Sequence, residues 1–236
     1  MNKRGSSPQA LPFDKLRAND ETMQVSSGQL AAIKALLFIL CLLPLAWLVA
    51  AFCADVLRIN PLGLPEDLLG ANPIETVIRD LGTWALRFIL LTLCITPLRK
   101  LTGMHWLLRL RRMLGLFAFF YALLHFNIYL GLDQSYDWAE IAKDILKRPF
   151  ITVGMLTFVL MLPLALTSSN AMIKAIGGKA WQRLHQLIYP LSICAVLHYW
   201  WLVKLDTTQP GIYAGLLAIL LMARVRDYWF KLRQRY

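Results

Sequence analysis

Four histidines, His105, His125, His185 and His198, carry most of the chemistry available to this chain. His125 and His198 stand inside long apolar runs. An imidazole held in a bilayer is costly, and it normally faces a bundle interior, where it bonds a neighbouring helix or serves a functional site. His125 precedes Asp133 by eight residues, and His198 precedes Lys204 by six. On helices running the same way, these spacings put the rings about 12 and about 9 Å below one boundary. Two imidazoles at one level on different helices suit the two axial positions of a haem iron, for which neutral imidazole is a common ligand. Zinc needs four ligands, and no neighbouring Cys, Asp or Glu supplies the others. Small residues precede each ring: Gly115, Ala118 and Ala122 before His125, and Cys194 and Ala195 before His198. They leave room for a flat macrocycle, and equally for close helix packing.

Arg87 follows Asp80 by seven residues, which places it about 10 Å deep on an inward-running helix, again at the histidine level. Its guanidinium either snorkels to the surface or pairs with a haem propionate. His185 stands 13 residues before His198. On an ideal helix that is about 20 Å of rise and about 140° of turn, so the two cannot share one haem. His185 is therefore a candidate ligand of a second, inner haem with no identified partner, and Pro190 between the two can bend the helix. His105, in Met104-His105-Trp106, reads as interfacial rather than as a ligand. Cys41, Cys53, Cys94 and Cys194 lie in or beside apolar runs without Cys-x-x-Cys spacing, which favours packing over an iron–sulfur or zinc site. No carboxylate pair, Ser–His–Asp set or phosphate-binding glycine loop points to catalysis within the chain, and Gly177-Gly178 reads as a turn.

The elements that must position these groups are membrane spans. Of the 236 residues, 58% are apolar, above the roughly 45–50% of soluble domains. That excludes a water-soluble enzyme domain. Six runs read as transmembrane helices, at about 30–53, 81–97, 113–132, 149–167, 184–203 and 210–223, each apolar all round. The second and sixth are the shortest, and a reading with five spans stands beside the one with six. The expected fold class is an all-α, polytopic membrane bundle of six transmembrane helices, with no internal repeat in the sequence.

Charge sets the direction. The N-terminal segment, the segment 98–112, the loop 168–183 and the tail carry 17 Lys and Arg, against six in the alternate loops. This bias predicts that both termini are cytoplasmic. The net charge of +11 is then a matter of topology, with no nucleic-acid partner implied. The alternate loops are acidic, with Asp55, Glu66, Asp67, Glu75 and Asp80, then Asp133, Asp137, Glu140 and Asp144. They read as a solvated rim or a docking surface. Residues 1–29 are polar and read as a disordered cytoplasmic extension without a removable signal peptide, Met23 being an alternative start. Residues 30–224 form the membrane domain, embedded in lipid, and 225–236 a basic cytoplasmic tail.

Several ordered motifs share one likeness. They are Arg111-Arg112-Met113-Leu114-Gly115-Leu116, Leu124-His125, Arg148-Pro149-Phe150-Ile151-Thr152-Val153-Gly154, Leu166-Thr167-Ser168, Trp181-Gln182-Arg183-Leu184-His185-Gln186-Leu187-Ile188-Tyr189 and Leu197-His198-Tyr199-Trp200. From about residue 30 to 225 the chain resembles the MsrQ (formerly YedZ) family of haem-binding membrane subunits, in the ferric-reductase-like transmembrane superfamily. The resemblance implies a six-helix b-type cytochrome of the bacterial inner membrane. It implies electron transfer from a quinol or flavin donor to MsrP, a periplasmic molybdopterin reductase that repairs oxidised methionines. It implies one or two haem b groups with ligand positions at His125, His185 and His198, none at His105, and FMN, for which no motif here speaks. Relatives in the superfamily often pair histidines 14 apart on each of two helices. This chain has 13 in its fifth span and a single histidine in its third.

With both axial positions filled, a haem iron shuttles single electrons and does not activate oxygen or substrate. Two other readings stand beside this one. A stand-alone transmembrane cytochrome b or ferric reductase usually carries a nucleotide-binding domain. A small transporter with functional histidines more often shows acidic residues deep in its spans, where this chain has none.

Overall fold

The computed structural model describes residues 25–65 and 67–233. Of the extension expected at 1–29, residues 1–24 lie outside the described residues, as do Glu66 and the last three residues, while Ser27, Gly28 and Gln29 already form the first turn of a helix. Helix α1 (Ser27–Asp55) opens with a capping box: Ser26 Oγ accepts from the Gln29 amide at 3.2 Å, and the Gln29 side chain accepts from the Ser26 amide at 3.0 Å. Helix α2 (Pro73–Thr102) starts at Asn72, whose side chain accepts from the Glu75 amide. It ends at Gly103, whose φ of 74° is the left-handed conformation glycine adopts without strain. A 3-10 turn (His105–Leu107) leads into α3 (Leu108–Ile128), which continues through a π-helical turn (Tyr129–Asp133). A short amphipathic helix α4 (Trp138–Lys147), capped by Asp137, precedes α5 (Pro149–Leu166). Helices α6 (Asn170–Ile176) and α7 (Gly178–Leu184) return the chain through a second 3-10 turn (His185–Leu187) to α8 (Ile188–Leu202). Helix α9 (Thr208–Arg233) closes the bundle. Asp206 accepts from the Thr208 amide at 2.9 Å, and the Thr208 hydrogen bonds hold its carboxyl below the usual range.

The described residues contain no strand. Among the described residues five helical stretches are long and apolar enough to cross a membrane: α1, α2, His105–Asp133, α5 and the first 19 residues of α9. The chain is thus an all-α, multi-pass membrane protein. The lengths differ from the sequence expectation in an instructive way. The second and sixth apolar runs are short, yet α2 has 30 residues and α9 has 26. Glu75, Arg79 and Asp80 at one end of α2, and Arg99 and Lys100 at the other, interrupt the apolar run without ending the helix. The short member is α8, with 15 residues. Residues 185–187 are spent in the 3-10 turn, and Pro190 falls in the first helical turn, where its missing N–H is tolerated.

Helix α2 is central, with half of its apolar window buried against α1, α3, α8 and α9. Two tight pairs dominate the packing, α2 with α3 and α5 with α8. Helix α1 lies at the edge and leaves Leu36, Ile39, Leu40, Leu43 and Trp47 exposed, as a lipid-facing helix must. Prolines in these helices free backbone groups that neighbours satisfy. Pro44 interrupts α1, and the fully buried Tyr121 of α3 answers by donating to the Cys41 carbonyl at 2.8 Å and accepting from the Leu45 amide at 3.1 Å. Pro97 frees the carbonyl four residues back, at Leu93, which accepts from Arg224 Nη2 at 2.8 Å. The bundle has an acidic end, carrying the loops 56–72, 134–137 and 203–207, and a basic end, carrying 103–107 and 167–187.

Candidate functional site

His125 on α3 and His198 on α8 meet near the acidic end. Their ring centroids are 6.1 Å apart, with the ring planes at 80°. Each ring is held from behind by a neighbouring helix. His125 Nδ1 lies 2.8 Å from the Ile78 carbonyl on α2, and His198 Nδ1 lies 2.6 Å from the Phe150 carbonyl on α5. A carbonyl oxygen only accepts, so in each neutral ring Nδ1 carries the proton and donates it. Nε2 keeps the free lone pair. The same device fixes the tautomer and raises the basicity of histidines that bind metal.

The approach of each ring requires a missing side chain. Four residues beyond each carbonyl, one turn further along the helix, stands a glycine. A Cβ on Gly82 would lie 3.1 Å from His125, and one on Gly154 would lie 2.7 Å from His198. The arrangement of carbonyl, imidazole and glycine therefore occurs twice, once in the α2–α3 pair and once in the α5–α8 pair. A 3-10 turn precedes the histidine-bearing helix in both. The repeat is structural, and the sequence alone does not display it.

The two rings line a cavity of about 330 Å³ whose other walls include Leu86, Ile89, Ala122, Gly154, Phe158 and Met161. Ligand sites generally start at about 300 Å³ and are mostly apolar. Among the described residues no group of three or more His, Cys, Asp or Glu gathers to hold a bare metal ion. Two imidazoles alone fit a metal whose remaining ligands come with it. Imidazole nitrogens bind such metals at about 2 Å, which puts ring centroids on opposite sides of one ion about 6 Å apart. The observed spacing matches, so the residues present fit a bis-histidine porphyrin.

His185, in the second 3-10 turn, does not join this pair. It lines a separate cavity of about 370 Å³ at the basic end, with Arg111, Arg112, Gly115, Trp181 and Tyr189. Its ring stacks on Trp181 at 3.8 Å, and its Nδ1 bonds the Trp181 carbonyl at 3.1 Å. Trp181 is itself anchored through Nε1 on the Thr167 carbonyl. Ile89 and Met161 belong to the walls of both cavities, which are stacked along the bundle.

Arg87 lines neither cavity. Its Nε donates to the Tyr213 hydroxyl of α9 at 2.9 Å, and its guanidinium lies 4.5 Å from the centre of the Trp84 ring. Depth along α2 matches the histidines, but azimuth turns the side chain toward α9. His105 is exposed in its 3-10 turn and lines neither cavity. The four cysteines are free, with Cys41 buried. Sequence reasoning missed Gly82, Gly154, Arg79 and Arg148, all of which line the outer cavity. The signal available for the glycines was an isolated glycine inside each of two apolar helices, a position that commonly has a packing or functional reason.

Comparison with known proteins agrees with this architecture. Residues 81–196 match the ferric reductase like transmembrane component, so fold and paired histidines together define a membrane bundle of that class. Among individual relatives, the protein-methionine-sulfoxide reductase heme-binding subunit MsrQ of Azospira oryzae is 57% identical over 205 residues, covering 86% of this chain and 83% of the relative. That of Herminiimonas arsenicoxydans is 50% identical over 212 residues (89% and 92%), and that of Rhodospirillum rubrum 48% over 188 (80% and 85%). The chain belongs to the MsrQ family.

Proposed function

We propose that this protein is a b-type cytochrome subunit of a methionine sulfoxide reductase system, with His125 and His198 as the two axial ligands of a haem. One observation carries the reading: two imidazoles from separate helix pairs face each other at 6.1 Å, each with Nδ1 committed to a backbone carbonyl. A haem so held supplies one-electron chemistry with no open coordination site. The chain's own part is to commit each Nδ1 to a backbone carbonyl, which leaves both Nε2 lone pairs free, and to line the cavity around them mostly with apolar side chains.

The rest of the proposal places the bundle. Six spans, with α8 and its leading 3-10 turn as the fifth, put both termini in the cytoplasm of a bacterial inner membrane, as the charge bias supports. The acidic end then faces the periplasm, where the outer site hands electrons to a soluble molybdopterin reductase, MsrP, that repairs oxidised methionines. Electrons arrive at the basic end from quinol or from FMN. His185 and its cavity there are the candidate place for a second haem.

Reduced-minus-oxidised absorbance of the purified protein tests the reading. Wild type should show Soret and α bands, and His125→Ala and His198→Ala should each lose the outer haem. His105→Ala should keep wild-type haem content. A wild-type protein without either band overturns the proposal, and so does haem per protein that stays at the wild-type level in both outer-histidine variants.

A further inference from the structure

The mouth of the outer cavity has a chemistry of its own. Arg79 and Arg148 line it, one from each helix pair: Arg79 follows the Ile78 carbonyl that holds His125, and Arg148 precedes the Phe150 carbonyl that holds His198. Each arginine is tethered to a carboxylate four residues back. Arg79 Nη2 meets Glu75 at 2.5 Å, and Arg148 Nε meets Asp144 at 3.3 Å. Both arginine side chains are about half exposed. The Glu75 carboxylate is half exposed as well, and an ion pair of that kind is weak and readily exchanged, whereas Asp144 is buried and keeps Arg148 as its counter-charge. Each fork keeps further N–H donors beyond the tether. Arg148 is also the N-cap of α5, so that helix begins at the same mouth. Helix α2 begins there too, at Asn72, another wall residue. Both helix dipoles thus present their positive ends to it.

Tyr129 completes the set. It lies in the π-helical turn one turn beyond His125 and lines the cavity, and its hydroxyl is buried without a hydrogen-bond partner. Asp144 Oδ2, close by, is likewise buried and unpartnered. Glu75 and Asp133 are the acidic wall residues. A buried phenol with nothing to bond and two arginines with spare N–H donors thus lie in the wall of the cavity that both imidazoles line.

From this geometry we infer that Arg79, Arg148 and Tyr129 hold the two carboxylates of the haem at the acidic end of the bundle. Arg79 exchanges or shares Glu75 for a propionate, and Arg148 offers one its remaining N–H donors while keeping Asp144. The planar propionate oxygens suit the guanidinium fork, and Tyr129 donates its hydroxyl proton to one of them. The porphyrin's carboxylate edge then points out of the acidic end, and the two positive charges favour the ferrous over the ferric state. This assignment rests on the bis-histidine reading above and adds to it the orientation of the macrocycle and the residues that set its potential. It gives the propionate role considered for Arg87 to two arginines of the cavity wall.

The test uses the purified holoprotein. Arg79→Gln and Arg148→Gln should each keep the Soret and α bands of bis-histidine haem. Each should move the ferric-to-ferrous ratio at a fixed poise several-fold toward ferric. The double variant should reach about tenfold, which is about 59 mV for one electron. In resonance Raman spectra the propionate bending band should shift in each Gln variant and return in Arg148→Lys. Lys204→Gln, which removes the same charge from the same end but outside the cavity wall, should change neither readout. Wild-type potentials and an unmoved propionate band in both Gln variants overturn the assignment while leaving the haem itself in place. Absence of haem from wild type instead removes the reading beneath it.

Discussion

Gly154 shows how narrow the tolerance around these imidazoles is. A methyl group there would stand 2.7 Å from the His198 ring, and the ring cannot retreat without breaking its hydrogen bond to the Phe150 carbonyl. At Gly82 the corresponding gap to His125 is 3.1 Å, which a shift of a few tenths of an ångström relieves. Gly154→Ala should therefore move His198, costing about 1–3 kcal/mol as overpacking does. It should also lower haem per protein and weaken the low-spin signal in electron paramagnetic resonance. Gly82→Ala should do the same to a smaller degree. Equal retention in both variants would mean that the glycines serve backbone packing alone. The histidines were legible because an imidazole in an apolar run is costly and stands out. Their supports were not: a backbone carbonyl has no letter of its own, and an isolated helical glycine looks the same whether it clears a ring or a neighbouring helix.

At the scale of elements, apolar runs located the helices but not their ends. Hydropathy reports where lipid contact stops, whereas α2 continues through Glu75, Arg79 and Asp80 because Asn72 and Pro73 begin the helix outside the apolar stretch. The same blindness hid the doubled arrangement of α2–α3 and α5–α8, since what repeats is a carbonyl, a missing Cβ and a 3-10 turn. Prolines were visible in the sequence, and their partners were not. Tyr121 inserts its hydroxyl between the Cys41 carbonyl and the Leu45 amide one residue past Pro44. Removing it should leave that carbonyl and amide without their bridging group, a loss of about 1–3 kcal/mol. Tyr121→Phe should melt earlier than wild type in detergent. The loss should be smaller in a Pro44→Ala background, where the restored ladder needs no bridge. A wild-type melting temperature for Tyr121→Phe would show that the hydroxyl does not support α1.

The whole molecule stacks two cavities along the bundle, and the depth argument from sequence foresaw the stacking better than the contents of each level. Counting residues from a charged boundary gives depth, because helical rise is constant, and so His125 and His198 fall at one level and His185 well away from it. The count gives azimuth poorly once a helix carries a 3-10 turn or bends. Depth alone does not fix which neighbour a side chain meets: Arg87, on the continuous helix α2, turns to Tyr213 of α9. Independence of the levels is testable at His185. Its ring is held by Trp181 within the 3-10 region of the basic end and makes no contact with the His125–His198 pair. Ile89 and Met161 are the side chains common to both cavities, and His185 lines only the inner one. His185→Ala should therefore keep the bis-histidine bands, and its redox titration should fit one one-electron component at the outer-site potential of wild type. If His185→Ala instead emptied the protein of haem, the two levels would be a single cooperative site, and the separation drawn by Ile89 and Met161 would not govern cofactor binding.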